Sequence, residues 1–181
     1  MVQHKLPYIS IGNTDLTHSR GERDMECASG GKLNDYVPFY FGPRSVMLYL
    51  IHQRHQSTYG GGQEPVIYLV SALETISKAG IPFAFTDRNA LMRTRKISDD
   101  VEQLDSVVDW EVVNSTTWAN TDADPDRKER KQAELLAYRF VPWKCIVGIG
   151  VYNESFRKHV ATELKRFEDE TPIQIKTGWY Y

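Results

Sequence analysis

Only two cysteines, Cys27 and Cys145, occur in the 181 residues, and they stand far apart. Their separation fits no metal-ligand pattern, so free, buried or half-buried thiols are expected in place of a disulfide. Long apolar runs are missing as well. No stretch approaches the length of a membrane span, and no signal-peptide pattern opens the chain, so no membrane association and a cytoplasmic location are expected. Nor is there an excess of positive charge. Lys and Arg number 22 against 24 Asp and Glu, for a net charge of −2, which argues against a protein that wraps duplex DNA. Gly60-Gly61-Gly62 lacks the pattern of a phosphate loop. No nucleophile elbow and no Cys–His arrangement is present. His52 and His55 stand three apart on a predicted helix but have no carboxylate at metal-site spacing, so no metal is expected.

What remains is ordinary for a soluble globular chain: 41% hydrophobic and 25% charged residues, enough for one domain over residues 1–181 with a sizeable core. Charge is unevenly spread. Arg88, Arg93, Arg95 and Lys96 form one basic cluster; Arg127, Lys128, Arg130 and Lys131 form another. They read either as a local basic groove or as two solvated faces. Tyr8 to Asn34 is polar and reads as loop with a short helical turn. Strands are predicted over 65–71, 82–86, 135–140, 146–152 and 172–176. Helices are predicted over 72–79, 99–108 and 154–167, the last with Phe156, Val160, Leu164 and Phe167 on one stripe. Residues 110–126 read as a long loop, with or without one turn of helix, a type of segment that is often functional. Strands and helices intersperse without regular alternation, which favours an α+β fold.

Asp35 to Ile51, DYVPFYFGPRSVMLYLI, is the most particular stretch. In an extended run Tyr36, Pro38 and Tyr40 face one way and Val37, Phe39 and Phe41 the other. Gly42-Pro43 breaks the strand. A helix from Arg44 to His55 follows, with Val46, Met47, Leu50 and Ile51 at helical spacing. Such a junction can hold a flat ligand against aromatic faces, and it also reads as plain packing. In RKERKQAELLAY, Arg127 to Tyr138, Glu134 sits between a charged run and an apolar one. That position puts a carboxylate at the mouth of a strand, short of deep burial. Gln132 shares its face if the strand has begun.

These segments resemble the DarT family, toxins that ADP-ribosylate single-stranded DNA. The resemblance is carried by DYVPFYFGPRSVML, by GGQEP with VIYLVS (Gly61 to Ser71), by IPFAFTD (Ile81 to Asp87), by KQAELLAY and by the terminal GWYY. It implies an ADP-ribosyltransferase fold: a split, mostly antiparallel sheet core with short helices. It implies NAD as co-substrate, single-stranded DNA as acceptor with thymidine as the modified base, and a DarG-like macrodomain antitoxin as partner. The family's N-terminal segment, with the histidine that grips NAD, has no counterpart before Tyr8, and His4 stands in a different context. The resemblance therefore also implies a shortened member. Its alternative is a non-catalytic remnant that binds single-stranded DNA or the antitoxin.

By the same resemblance Glu134 is the catalytic carboxylate. Such a group holds ribose hydroxyls and stabilises an oxocarbenium-like transition state. Arg20, in ISIGNTDLTHSRGERD, is the arginine working with it, although Arg23 fits the same loop. Tyr40 would line the nicotinamide pocket, with Phe41 and Met47 packed beside it or in plain core. Arg44 opens the helix, either as a pyrophosphate clamp or as an exposed residue. DNA contact is expected from the loop before Glu134: Trp118 for base stacking or as a loop anchor, and Arg130 and Lys131 for phosphate.

Overall fold

The structure, a computed structural model, describes residues 14–55 and 59–181. The segment said above to lack the family's histidine lies outside the described residues. The chain runs through helix α1 (Thr14–Glu22), strand β1 (Tyr36–Tyr40), α2 (Val46–His52), β2 (Tyr68–Val70), α3 (Leu73–Lys78), β3 (Phe83–Thr86) and β4 (Ile97–Ser98). It continues through α4 (Leu104–Val107), α5 (Trp110–Asn114), α6 (Arg127–Arg130), β5 (Glu134–Tyr138), β6 (Gly148–Val151), α7 (Glu154–Lys165) and β7 (Ile173–Ile175).

Among the described residues two sheets form. A four-stranded antiparallel sheet has the order β1-β5-β3-β4, and a three-stranded sheet the order β2-β6-β7. Among these strands only β6 and β7 pair in parallel, and α7 provides the crossover that parallel neighbours require. This is an α+β fold with a split, mostly antiparallel core, as the sequence implied.

Strand β5 explains the layering. Both its edges are paired, by β1 and β3, and a core cluster packs on each of its faces, so its sequence is a continuous apolar run. Its alternation divides two cores. Leu135 and Ala137 pack with Phe85, Ile76, Val108 and Val113. Leu136 packs with Met25, Leu33, Tyr36, Ala84 and Ala90 on the other face. Glu134 has the parity of Leu136 and so opens onto this second face.

The turn after β1 departs from the expected helix start. Arg44 has φ +56°, a left-handed conformation that no helix contains. Helix α2 begins only at Val46, after Ser45, whose Oγ accepts from the Leu48 N–H at 3.1 Å. Gly42 is required by proximity: a Cβ there would stand 2.7 Å from the Val113 carbonyl oxygen. Where a loop with a short helical turn was expected, α1 occupies nine residues. Its sequence TDLTHSRGE has no apolar stripe, because α1 lies on the surface with residues 15–19 exposed. Helix α5 is a turn of helix at the start of the predicted long loop, capped by Asp109, which accepts from the Val112 N–H at 3.0 Å. No helix among the described residues is long and apolar enough to cross a membrane.

Candidate active site

Glu134 is the first residue of β5 and pairs in register with Tyr40, the last of β1. It is 2% exposed, deeper than the strand-mouth position expected from the sequence. The cause is local: the 87–96 loop covers it and supplies a donor. The Ala90 N–H donates to Oε1 at 3.1 Å, and Arg20 Nη1 donates to Oε2 at 3.0 Å. A carboxylate so removed from water needs both a counter-charge and hydrogen bonds, and it has them. The Glu134 N–H donates to Thr86 Oγ1 at 3.3 Å, which fixes the strand start against β3.

Arg20 comes from the last turn of α1. The geometry separates it from Arg23, whose Nη2 donates instead to the Leu91 carbonyl at 3.1 Å. Arg20 Nη2 is buried without a hydrogen-bond partner. Buried donors are rarely left so, and this one sits on the cation that holds Glu134. Tyr40 completes the group. Burial pushes its hydroxyl well above the usual tyrosine range, the Glu134 charge adds to the rise, and Arg20 opposes it. The phenol therefore stays protonated through physiological pH.

Arg44 stands at the end of the turn after β1. Its N–H donates to the Tyr68 hydroxyl at 3.3 Å, and its carbonyl accepts from the Tyr181 hydroxyl at 2.5 Å. Its guanidinium lies over the Tyr181 ring, 4.6 Å from the centroid, and its Nε is buried without a partner. Arg20 and Arg44 thus both keep donors free for an anionic or carbonyl-bearing ligand, as a site for a dinucleotide co-substrate needs.

Other expected residues are placed differently. Phe41 packs edge-on to Trp110, centroids 5.4 Å apart, in the core opposite Glu134. Strand alternation sends it there, away from Tyr40. Met47 is half-buried in the first turn of α2. Gln132 precedes the strand and is held by Asn89, whose Nδ2 donates to Oε1 at 3.0 Å, and by the Lys128 carbonyl. Trp118 Nε1 donates to the Tyr181 hydroxyl at 2.6 Å, and its ring meets Tyr49 edge-on. Its indole serves here as the loop's anchor.

The two cations expected to meet phosphate are engaged within the protein. Arg130 is clasped by Asp109, Asp124 and Asp126. Lys131 is 5% exposed, and its Nζ donates to the Val113 and Ser115 carbonyls at 2.6 and 2.8 Å. Burial, with the charges of Arg44 and Arg127, lowers its pKa to about 8. Sequence reasoning missed Ala90, Tyr68 and Tyr181. A backbone donor leaves no side-chain signal, and the two tyrosines meet Arg44 only through the fold.

The chain has known relatives along its length. The family described as "ssDNA thymidine ADP-ribosyltransferase, DarT" matches residues 1–181. A DNA ADP-ribosyl transferase of Thermus sp. (strain 2.9) is 40% identical over 174 residues, covering 95% of this chain and 81% of its own length. One from Escherichia coli O127:H6 is 32% identical, covering 96% of this chain and 79% of its own length. Among solved structures, Thermus sp. 2.9 DarT in complex with ADP-ribosylated single-stranded DNA superposes with a TM-score of 0.89 at 39% identity. That match covers 95% of this chain and 81% of the Thermus chain. The chain belongs to the DarT family and is an ADP-ribosyltransferase.

Proposed function

We propose that this protein transfers ADP-ribose from NAD to thymidine in single-stranded DNA, with Glu134 and Arg20 as its catalytic residues. The observation that carries the reading is the buried Arg20–Glu134 pair, set across from Tyr40 with one Arg20 nitrogen still unpartnered. Thermus sp. 2.9 DarT in complex with NAD+, 39% identical with a TM-score of 0.85, supports NAD as co-substrate.

In the reaction the bond between ribose C1′ and the nicotinamide nitrogen breaks, and nicotinamide leaves neutral with the bonding pair. The base nitrogen then bonds to C1′ and loses its proton. Glu134, held in place by Arg20 and the Ala90 N–H, faces the positive charge that develops on the sugar. Two donors fix its orientation, so little reorganisation accompanies that charge. Tyr40, locked as a phenol, offers an aromatic wall for the nicotinamide. The free Arg20 N–H is suited to a thymine carbonyl. A donor there draws electron density from the ring and eases loss of the neighbouring N–H proton. Arg44 is suited to the pyrophosphate. The acceptor is single-stranded because a base must be unstacked before its nitrogen can be reached. By family resemblance the protein acts as a toxin in the cytoplasm, and a macrodomain antitoxin removes the mark.

The test is direct. The chain is incubated with NAD and single-stranded oligonucleotides with and without thymidine, and the products are weighed by mass spectrometry. One added ADP-ribose is expected, on the thymidine oligonucleotide alone, and Glu134→Gln is expected to slow its formation by at least about a hundredfold. No mass gain from folded protein would sink the reading and favour a DNA-binding remnant.

A further inference from the structure

Most arginines with a place in the sequence's basic runs are engaged by carboxylates. Arg88 pairs with Asp87 and Asp126, Arg127 with Asp124, and Arg130 with three aspartates. Among the described residues Arg23, Arg44, Arg54, Arg93 and Arg139 have no carboxylate partner, and of these Arg23 and Arg93 stand together. Both line a cleft of about 460 Å³ with Ser19, Glu22 and Leu91. One wall is the end of α1; the other is the 87–96 loop between β3 and β4. The Arg23 bond to the Leu91 carbonyl ties the walls together.

Arg95, on the same loop, adds to the positive field. Its side chain is 3% exposed, its Nε is buried without a partner, and its nearest carboxylate, Glu26, is 3.6 Å away. Burial, then the charge of Arg23, lowers its pKa. Glu22 is the one acid on the cleft. Arg23 and Arg95 repel one another, Arg93 shares the cleft with Arg23 without a carboxylate partner, and arginine forks suit phosphate.

The cleft adjoins the reactive carboxylate. Arg20 lies one helical turn before Arg23, and the loop that carries Arg93 also supplies the Ala90 N–H to Glu134. It lies on a defined side: β1 with Tyr40 flanks β5 on one edge, while β3 and its loop flank it on the other. A nicotinamide against Tyr40 leaves the β3 edge to the acceptor strand. We propose that this cleft binds a backbone phosphate of single-stranded DNA next to the modified nucleotide, with Arg23 and Arg93 as its ligands. The proposal rests on the DNA-modifying reading above and replaces Arg130 and Lys131 as the phosphate contacts.

The experiment measures binding of a labelled thymidine-containing oligonucleotide to the full chain by fluorescence anisotropy over a range of salt, together with the KM for NAD. Arg23→Gln, Arg93→Gln and their double variant are compared with wild type, and Arg139→Gln is the control. Arg93 is exposed and makes no internal bond among the described residues, so Arg93→Gln tests the cleft without disturbing the fold. The double variant is expected to lose about tenfold in DNA affinity, and its salt slope to fall by about 0.7 per cation removed. The KM for NAD and the behaviour of Arg139→Gln stay at wild type. A raised KM for NAD with unchanged DNA affinity would overturn the proposal in favour of the pyrophosphate. No change in either, or no DNA binding by wild type, would also overturn it. Wild type that binds DNA through these arginines but transfers nothing leaves the cleft standing and removes the transferase reading.

Discussion

Glu134 and Lys131 are three residues apart, and both are nearly out of water, but their charges are handled differently. Glu134 has a guanidinium; Lys131 has only carbonyls. Arg20→Gln is expected to leave the carboxylate buried without its counter-charge and to lower stability by about 3 kcal/mol, read by denaturant unfolding. For Lys131 the sign follows from its lowered pKa, about 8 in the fold against about 10.4 in the unfolded chain. Below pH 8 both states hold the proton, and the burden of burying the charge is present in full. Between pH 8 and 10.4 the unfolded chain keeps a proton that the folded one has lost, so stability rises with pH. Relative to Lys131→Met, wild type is expected to gain up to about 1.4 kcal/mol per pH unit in that window. A flat difference between pH 7 and 10 would show that the ammonium stays charged. At this scale the places of Glu134 at the head of an apolar run and of Tyr40 on the face of a strand leave marks in sequence, whereas Arg20 was reached only through the family resemblance, with Arg23 open beside it. The partners of Arg130 and Lys131 were not legible, because a basic run says nothing about which of its members meet aspartates or carbonyls in the fold.

Among the elements, the turn from β1 into α2 concentrates the local constraints. Gly42 admits no Cβ beside the Val113 carbonyl, so Gly42→Ala is expected to destabilise by about 1–3 kcal/mol, visible as a lower Tm. Ser45→Ala removes the α2 cap at about 1 kcal/mol. It should leave transfer chemistry nearly intact, because Ser45 acts only on the helix start. Strand β5 and helix α7 were legible, the one as a continuous apolar run and the other as an apolar stripe. Helices α1 and α5 were legible only as single helical turns without boundaries. The first is a surface helix without an apolar face, the second a five-residue turn set by an aspartate cap. The positive φ of Arg44, which moves the start of α2, is imposed by Tyr68 and Tyr181 from the rest of the molecule.

Considered whole, the molecule reaches back on itself through Tyr181. Gln63 holds that residue's main chain: its Oε1 accepts from the Tyr181 N–H at 2.9 Å, and its Nε2 donates to the carbonyl oxygen. The Tyr181 hydroxyl serves both Trp118 and Arg44. Tyr181→Phe is expected to keep the fold but raise the KM for NAD severalfold with a smaller change in kcat, since Arg44 loses its hold while Glu134 keeps its own. Steady-state kinetics would separate the two, and a drop in kcat alone would contradict it. The bond from Tyr181 to Arg44 spans 137 positions, and the one from Trp118 spans 63. During translation Arg44 and Trp118 therefore emerge well before the hydroxyl that secures them. A chain elongated only as far as β5 carries Arg20, Tyr40 and Glu134 but lacks the hydroxyl that secures Arg44. The Arg44 side of the site is therefore completed later in synthesis than the Arg20–Glu134 pair.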